Sequence, residues 1–334
     1  VTVAGEDKLQ VYTVGSETGR INLQTEVVVE GRPAPLAISP DRTCLYVGQR
    51  DKYGIRSFLI DRNTGNISAT GQVSLHSDPC FMSVDRTGQY ILSAYYNAGG
   101  VSIHPVGKSR EVGPGPTEWV ETGVGAHSIQ TDPSNRFAFV PHIADKGPNK
   151  IFQFNFDAET GKIHQNTPAF VHQMKNTGPR HYCFHPNIET IYFSNEQGCS
   201  VSAYQLDTSS GILTHFQTIS TLPPGYVGSN TCSQIQITSN GRFLYAPNRG
   251  DNSIACFEVN ASDGSLKPVG WVDAEPVPRV FSLDPYGKFL FSAGLDSGKL
   301  RTYQIDESTG IPNHIYTNDL GREPMWILVT DLAG

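Results

Sequence analysis

An all-β, seven-bladed β-propeller with four strands per blade is the fold this sequence predicts. Two observations predict it: a strand-rich unit recurs every 46 to 53 residues, and the last unit is divided between the two ends of the chain. Four stretches carry the unit most plainly: "LAISPDRTCLYVGQRDKYGIRSFLIDRNTGNI", "CFHPNIETIYFSNEQGCSVSAYQLDTSSGIL", "IQITSNGRFLYAPNRGDNSIACFEVNASDGSL" and "FSLDPYGKFLFSAGLDSGKLRTYQIDESTGI". Each runs through an apolar strand, a polar turn, an aromatic-rich strand, a Gly/Asp/Asn turn, an alternating strand such as "SVSAYQLD" and a turn of the type Asp-x-x-(Ser/Thr)-Gly.

In chain order, the first-turn positions of the units are Ser39, Asp85, Asp132, His185, Thr238 and Asp284, at spacings of 46, 47, 53, 53 and 46 residues. The second and third units are weaker copies, "FMSVDRTGQYILSAYYNAGGVSIHPV" and "SIQTDPSNRFAFVPHIADKGPNKIFQFNFDAETGKI". A seventh anchor falls at Thr330 in "PMWILVTDL", where the later strands of the unit are missing. The N-terminal "TVAGEDKLQVYTVGSETGRI" matches "FSAGLDSGKLRTYQIDESTGI" and supplies them. Pairing the two segments in one blade closes the ring, a complementarity that an open solenoid of repeats leaves unexplained. Residues 1–334 therefore read as a single propeller domain. No Trp-Asp dipeptide closes the units and Gly-Gly occurs once, so neither WD40 nor kelch repeats fit.

Composition excludes several function classes. The 25 Lys+Arg against 32 Asp+Glu give a net charge of -7 with no basic cluster, which argues against a nucleic-acid partner. No apolar run approaches the roughly 20 residues of a membrane span, and "VTVAGEDKLQVYTV" alternates like a strand rather than resembling a signal peptide. A soluble protein without a membrane partner is expected. The six cysteines, at positions 44, 80, 183, 199, 232 and 256, show no paired spacing; free, mostly buried thiols and a reducing, cytoplasmic location are the expectation.

The repeat frame locates a candidate site. An innermost strand starts at one mouth of the central channel and the second strand returns to it, so residues five before and eleven after each anchor should ring one opening. The first set is Ala34, Cys80, His127, Arg180, Ser233, Arg279 and Met325. The second is Arg50, Tyr96, Ile143, Glu196, Arg249, Leu295 and, aligned across the termini, about Glu6. Taken singly, Glu196 reads as a structural partner of Arg180, His127 as a solvated strand-end histidine and Arg249 as a turn arginine. Their recurrence at equivalent positions of adjacent units argues for a site in a concave mouth instead.

The stretches "AISPDRTCLYVG", "YYNAGGVSI", "GAHSIQTDPSNRFAFVP", "GPRHYCFHP", "FSNEQGCSVSAYQL", "SNGRFLYAPNRGDNSI", "PRVFSLDPYGKFLFSAG" and "PMWILV" together resemble the bacterial 6-phosphogluconolactonase family of the seven-bladed propeller type. That family is in turn similar to the fungal carboxy-cis,cis-muconate lactonizing enzyme. In the fungal branch a histidine in a Gly-x-His stretch, a Pro-Arg, a glutamate closing the next strand and a further arginine are implicated in chemistry. By motif the resemblance places these on His127, Arg180, Glu196 and Arg249. Both branches keep these residue types, so the resemblance leaves the reaction open.

Hydrolysis of a sugar δ-lactone needs an activated water and a stabilised oxyanion, and an anionic substituent needs a cationic clamp. Arg180 and Arg249 suit the clamp and the developing charge. His127 is preferred as base because Arg180 should keep Glu196 ionised, with Glu196 orienting the arginine. Arg279 is a candidate for phosphate recognition, Tyr96 and Asn97 for sugar hydroxyls, and Arg50 for a further substrate contact. No cofactor and no metal are expected at an arginine-rich mouth. The expected substrate is a small anionic lactone or carboxylate, most simply 6-phosphogluconolactone. The alternatives are a muconate-type cycloisomerase and a propeller that only binds; composition and pattern leave the oligomeric state open.

Overall fold

The structure, a computed structural model, describes residues 1–332 and contains seven four-stranded antiparallel sheets whose inner strands adjoin around a central channel. Blade I spans residues 33–74, blade II 81–121, blade III 130–172, blade IV 179–220, blade V 236–273 and blade VI 278–319. Blade IV shows the pattern: from the axis outward it holds Pro179–Phe184, Thr190–Asn195, Ser200–Asp207 and Ile212–Ser220. Blade VII joins the termini. Its inner strand Pro324–Trp326 pairs with Thr2–Val3, followed by Lys8–Val14 and Ile21–Val28, with Thr2 opposite Trp326 and Val3 opposite Pro324. Backbone bonds from Ala4 N–H to Glu323 O (2.9 Å) and Gly5 N–H to Arg322 O (3.1 Å) extend the seam. Among the described residues the one helical element is a single turn, Ala4–Glu6.

The recurring anchors are explained by the turn they close. Asp85 Oδ1 accepts the N–H groups of Gln89 (2.7 Å) and Tyr90 (2.8 Å), and Asp132 Oδ1 does the same for Arg136 and Phe137 (both 2.8 Å). Ser39 Oγ and Thr238 Oγ1 accept from Cys44 and Phe243, while His185 Nδ1 accepts from Asn187 and Ile188. These polar side chains satisfy backbone donors that the turn would otherwise bury unpaired, which is why short acceptors recur there.

Blade-to-blade packing explains the Asp-x-x-(Ser/Thr)-Gly turn. Gly211 of blade IV and Gly310 of blade VI have φ of 72° and 73°, and an added Cβ would lie 2.2 Å from the rings of Phe137 and Phe243 on the preceding blades. Only glycine permits both the left-handed backbone and the aromatic contact. Tyr192 and Tyr245 reinforce it, donating their hydroxyls to Gly264 O (2.7 Å) and Gly310 O (2.8 Å) of the next blade.

The inner strands are less regular than the repeat implies. In blades III and V they shrink to Gln130–Thr131 and Gln236–Ile237, so His127 precedes its strand and is held by its N–H on Pro141 O (3.0 Å). In blades IV and VI the register slips between Pro179 and His181 and between Pro278 and Val280, leaving Arg180 and Arg279 as the extra residues of bulges. A bulge turns successive side chains out of strict alternation and is a common means of aiming one into a site.

Candidate active site

Four of the residues singled out from the sequence meet at one mouth. Glu196, directly after the second strand of blade IV, accepts from Arg180 Nε at Oε2 (2.7 Å) and lies 3.1 Å from Arg249 Nη2 at Oε1. His127 Nε2 stands 4.0 Å from Glu196 Oε2, outside hydrogen-bonding range but close enough to feel its charge. The backbone fixes this arc across three blades. Ser128 Oγ donates to Arg180 O (2.9 Å), Cys232 N–H to Glu196 O (3.1 Å), and Arg249 Nη2 to Cys232 O (2.9 Å).

The arc is shielded from water, with Arg180 2% and His127 6% exposed, and this governs its electrostatics. Burial pulls the Arg180 guanidinium down to about 10, partly offset by Glu196, so it remains a cation at neutral pH. Burial alone would raise the Glu196 carboxyl, but Arg180 and Arg249 outweigh it and hold the group below its usual value. Burial, then the charges of Arg180, His181 and Arg279, push His127 well below its ordinary 6.5. The imidazole is neutral at neutral pH, the form that can accept a proton.

The other residues singled out divide into two groups. Tyr96 sits edge-on to His127 with ring centroids 5.9 Å apart, beside the arc. Arg279 has no hydrogen-bond acceptor or acidic partner among the described residues; burial and the neighbouring arginines lower it to about 9. Arg50 and Asn97 are instead gathered by Asp78. Arg50 Nη2 binds Asp78 Oδ2 at 2.8 Å and Asn97 Nδ2 lies 3.4 Å from the same oxygen.

Sequence reasoning missed two members. Asp78 lies in the connection leading into blade II, seven residues before the anchor Asp85 and outside the frame of paired strands. His181 is buried with its ring centroid 5.1 Å from that of His127, and the Arg180 bulge brings it to the channel beside its neighbour. The "Arg-His" pair was the available signal, but strict strand alternation assigns His181 to the opposite face. No grouping of three or more His, Cys, Asp or Glu residues able to hold a metal occurs among the described residues.

Comparison with known proteins follows the same outline. The family model described as "Lactonase, 7-bladed beta-propeller" matches residues 1–329. A relative from Pectobacterium carotovorum named 6-phosphogluconolactonase is 34% identical over 325 residues, covering 97% of this chain and 96% of the relative. One of the same name from Serratia proteamaculans is 32% identical over 330 residues, covering 98% of each. Among solved structures, the periplasmic gluconolactonase of Pseudomonas aeruginosa aligns with a TM-score of 0.87 at 24% identity, over 94% of this chain and 93% of that one. A Bacteroides uniformis structure titled a putative 6-phosphogluconolactonase aligns with a TM-score of 0.85 at 25% identity and the same coverage.

Proposed function

The chain belongs to the seven-bladed β-propeller lactonase family, and from that premise we propose that it hydrolyses 6-phosphogluconolactone to 6-phosphogluconate at the mouth formed by blades III to V. The observation that carries the choice of an anionic substrate is the charge of that mouth. Four guanidiniums, of Arg50, Arg180, Arg249 and Arg279, face two carboxylates, of Asp78 and Glu196, and Arg279 has no acidic partner. A phosphate dianion complements that excess, and partly buried guanidiniums bind it strongly because water screens them little.

In this reading the neutral His127 takes a proton from the attacking water as its oxygen bonds to the lactone carbonyl carbon. The carbonyl electrons move onto oxygen, where Arg249, with Nε free of any acceptor among the described residues, faces the developing negative charge. Collapse of the tetrahedral intermediate breaks the ring C–O bond, and His127 returns its proton to the leaving ring oxygen. Glu196 stays ionised; it orients Arg180 and Arg249, and at 4.0 Å it stabilises the imidazolium that forms on His127. Arg279 is assigned to the phosphate, and Tyr96 to the sugar face. Six free thiols support a reducing compartment, the cytoplasm, for this chain.

A lactone panel tests the proposal, with rates corrected for spontaneous hydrolysis. Wild-type kcat/KM should be higher for 6-phosphogluconolactone than for gluconolactone, and Arg279→Gln should narrow the difference by raising KM for the phosphorylated substrate alone. Equal efficiency on both lactones would reject phosphate recognition and favour the unphosphorylated substrate class.

A further inference from the structure

Beside the arc, and sharing Arg180 with it, lies a cavity of about 10 Å³ whose walls include Arg50, Arg180, His181, Gln234, Arg279 and Trp326. These come from five blades, so the cavity lies on the axis of the ring. Three of their buried polar atoms, Arg50 Nε, Arg180 Nη1 and His181 Nε2, have no hydrogen-bond partner among the described residues. Arg50 and Arg180 already commit one nitrogen each, Nη2 to Asp78 and Nε to Glu196, so the orphaned atoms are donors beyond those ion pairs. Arg279 makes no hydrogen bond or ion pair among the described residues. Gln234 spends its Oε1 on Phe281 N–H (2.9 Å), which leaves its amide N–H₂ as a neutral donor.

Buried donors in native folds find acceptors, and the residues that carry these three line one small space. We propose that this cavity binds a monatomic anion, chloride under ordinary conditions, held by Arg50, Arg180, Arg279 and His181. Charge selects the sign of the ligand, because three guanidiniums wall the cavity and the two nearby carboxylates each already bind one of them. Volume limits the number of atoms: the space is small, about 10 Å³, which suits a single monatomic ion. His181 fits as a neutral donor, since burial and then the charges of Arg180 and Arg279 keep its ring unprotonated, with one N–H to give. A guanidinium has five N–H donors, so Arg279 can serve this ion and a substrate phosphate together. The proposal rests on the donors and the volume and does not depend on the lactonase chemistry at the mouth.

Crystals soaked in sodium bromide test it directly. An anomalous bromide peak on the axis, in contact with Arg180 Nη1 and His181 Nε2, is the expected result. In solution at fixed ionic strength, replacing acetate by chloride should raise the melting temperature linearly with the logarithm of chloride concentration. Gln234→Glu brings a tethered carboxylate to the cavity and keeps an oxygen for Phe281 N–H. It should abolish both the peak and the halide dependence without lowering stability in chloride-free buffer. The proposal is overturned by bromide crystals with no peak there, by a melting temperature indifferent to chloride, or by inorganic phosphate occupying the cavity in place of the halide.

Discussion

The two halves of the mouth occupy the same positions of the same repeat, yet one carries a connected charged arc while the other sets two separate arginines, Arg50 and Arg279, among apolar residues. Blades III to V contribute His127, Arg180, Glu196 and Arg249, knitted by ion pairs at 2.7 and 3.1 Å. Across the ring, Ala34, Met325 and Leu295 pack with Ala4 into a small apolar cluster. Leu295 follows the second strand of blade VI as Glu196 follows that of blade IV. The repeat fixes where a side chain emerges and the local residue decides what it does there. A position whose sister positions are content with an alanine or leucine needs no charge for folding, so a buried arginine there is a statement about ligands.

Ring closure lies in the half that holds the Ala34, Met325 and Leu295 cluster, and breaking it should cost the most. Deleting the last ten residues removes Met325 and Trp326 from the closing strand and Ile327 from the core, and it exposes sheet edges on both sides of the seam. Soluble expression should collapse. A truncated chain that keeps the wild-type melting temperature would show that closure does not depend on this pairing.

Glu196→Gln strikes the connected arc. Removing the one carboxylate that serves both Arg180 and Arg249 leaves two buried guanidiniums uncompensated, and the expected loss of stability is about 3–5 kcal/mol by chemical denaturation. Leu295→Ala, at the equivalent position, should cost only about 1–2 kcal/mol, since Leu295 is only partly buried, and should leave kcat/KM unchanged. Equal costs for the two substitutions, or a kinetic defect in Leu295→Ala, would erase the distinction between the halves.

A smaller effect concerns pH. His127 and His181 in the mouth are held well below 6.5, and His104 and His142 outside it are lowered to about 4, all four chiefly by burial. The unfolded chain, with ordinary histidines, binds more protons below pH 6.5 than the folded one, so stability falls as pH drops through 6.5 toward 4. The melting temperature at pH 5 should lie below that at pH 7.5, and His104→Asn should shrink the difference without touching the mouth. A flat profile over that range would contradict neutral burial of these rings.

Much of this was legible in the sequence because the repeat is physical. The anchors recur since each first turn needs a short acceptor, and the glycines recur since an aromatic ring of the previous blade fills the space of a side chain. The same frame placed His127, Arg180, Glu196 and Arg249 together. It could not reveal the bulge at Arg180, because alternation with a period of two assumes the regular register that a bulge breaks, and so His181 went unnoticed. Nor could it assign Asp78, which sits in a connection where no strand partner fixes the register. Asp78 tethers Arg50 Nη2 at 2.8 Å and Asn97 Nδ2 at 3.4 Å.

Proton transfer by the arc of His127, Arg180, Glu196 and Arg249 during lactone opening is tested by the pH dependence of kcat for His127→Ala on 6-phosphogluconolactone. Loss of the base should lower kcat by roughly 10²–10⁴-fold with KM little changed, and the acidic limb of the wild-type profile, lying well below pH 6.5, should vanish or move. A variant that retains wild-type kcat and the same acidic limb would contradict it, and the proton would then have to be taken by another group.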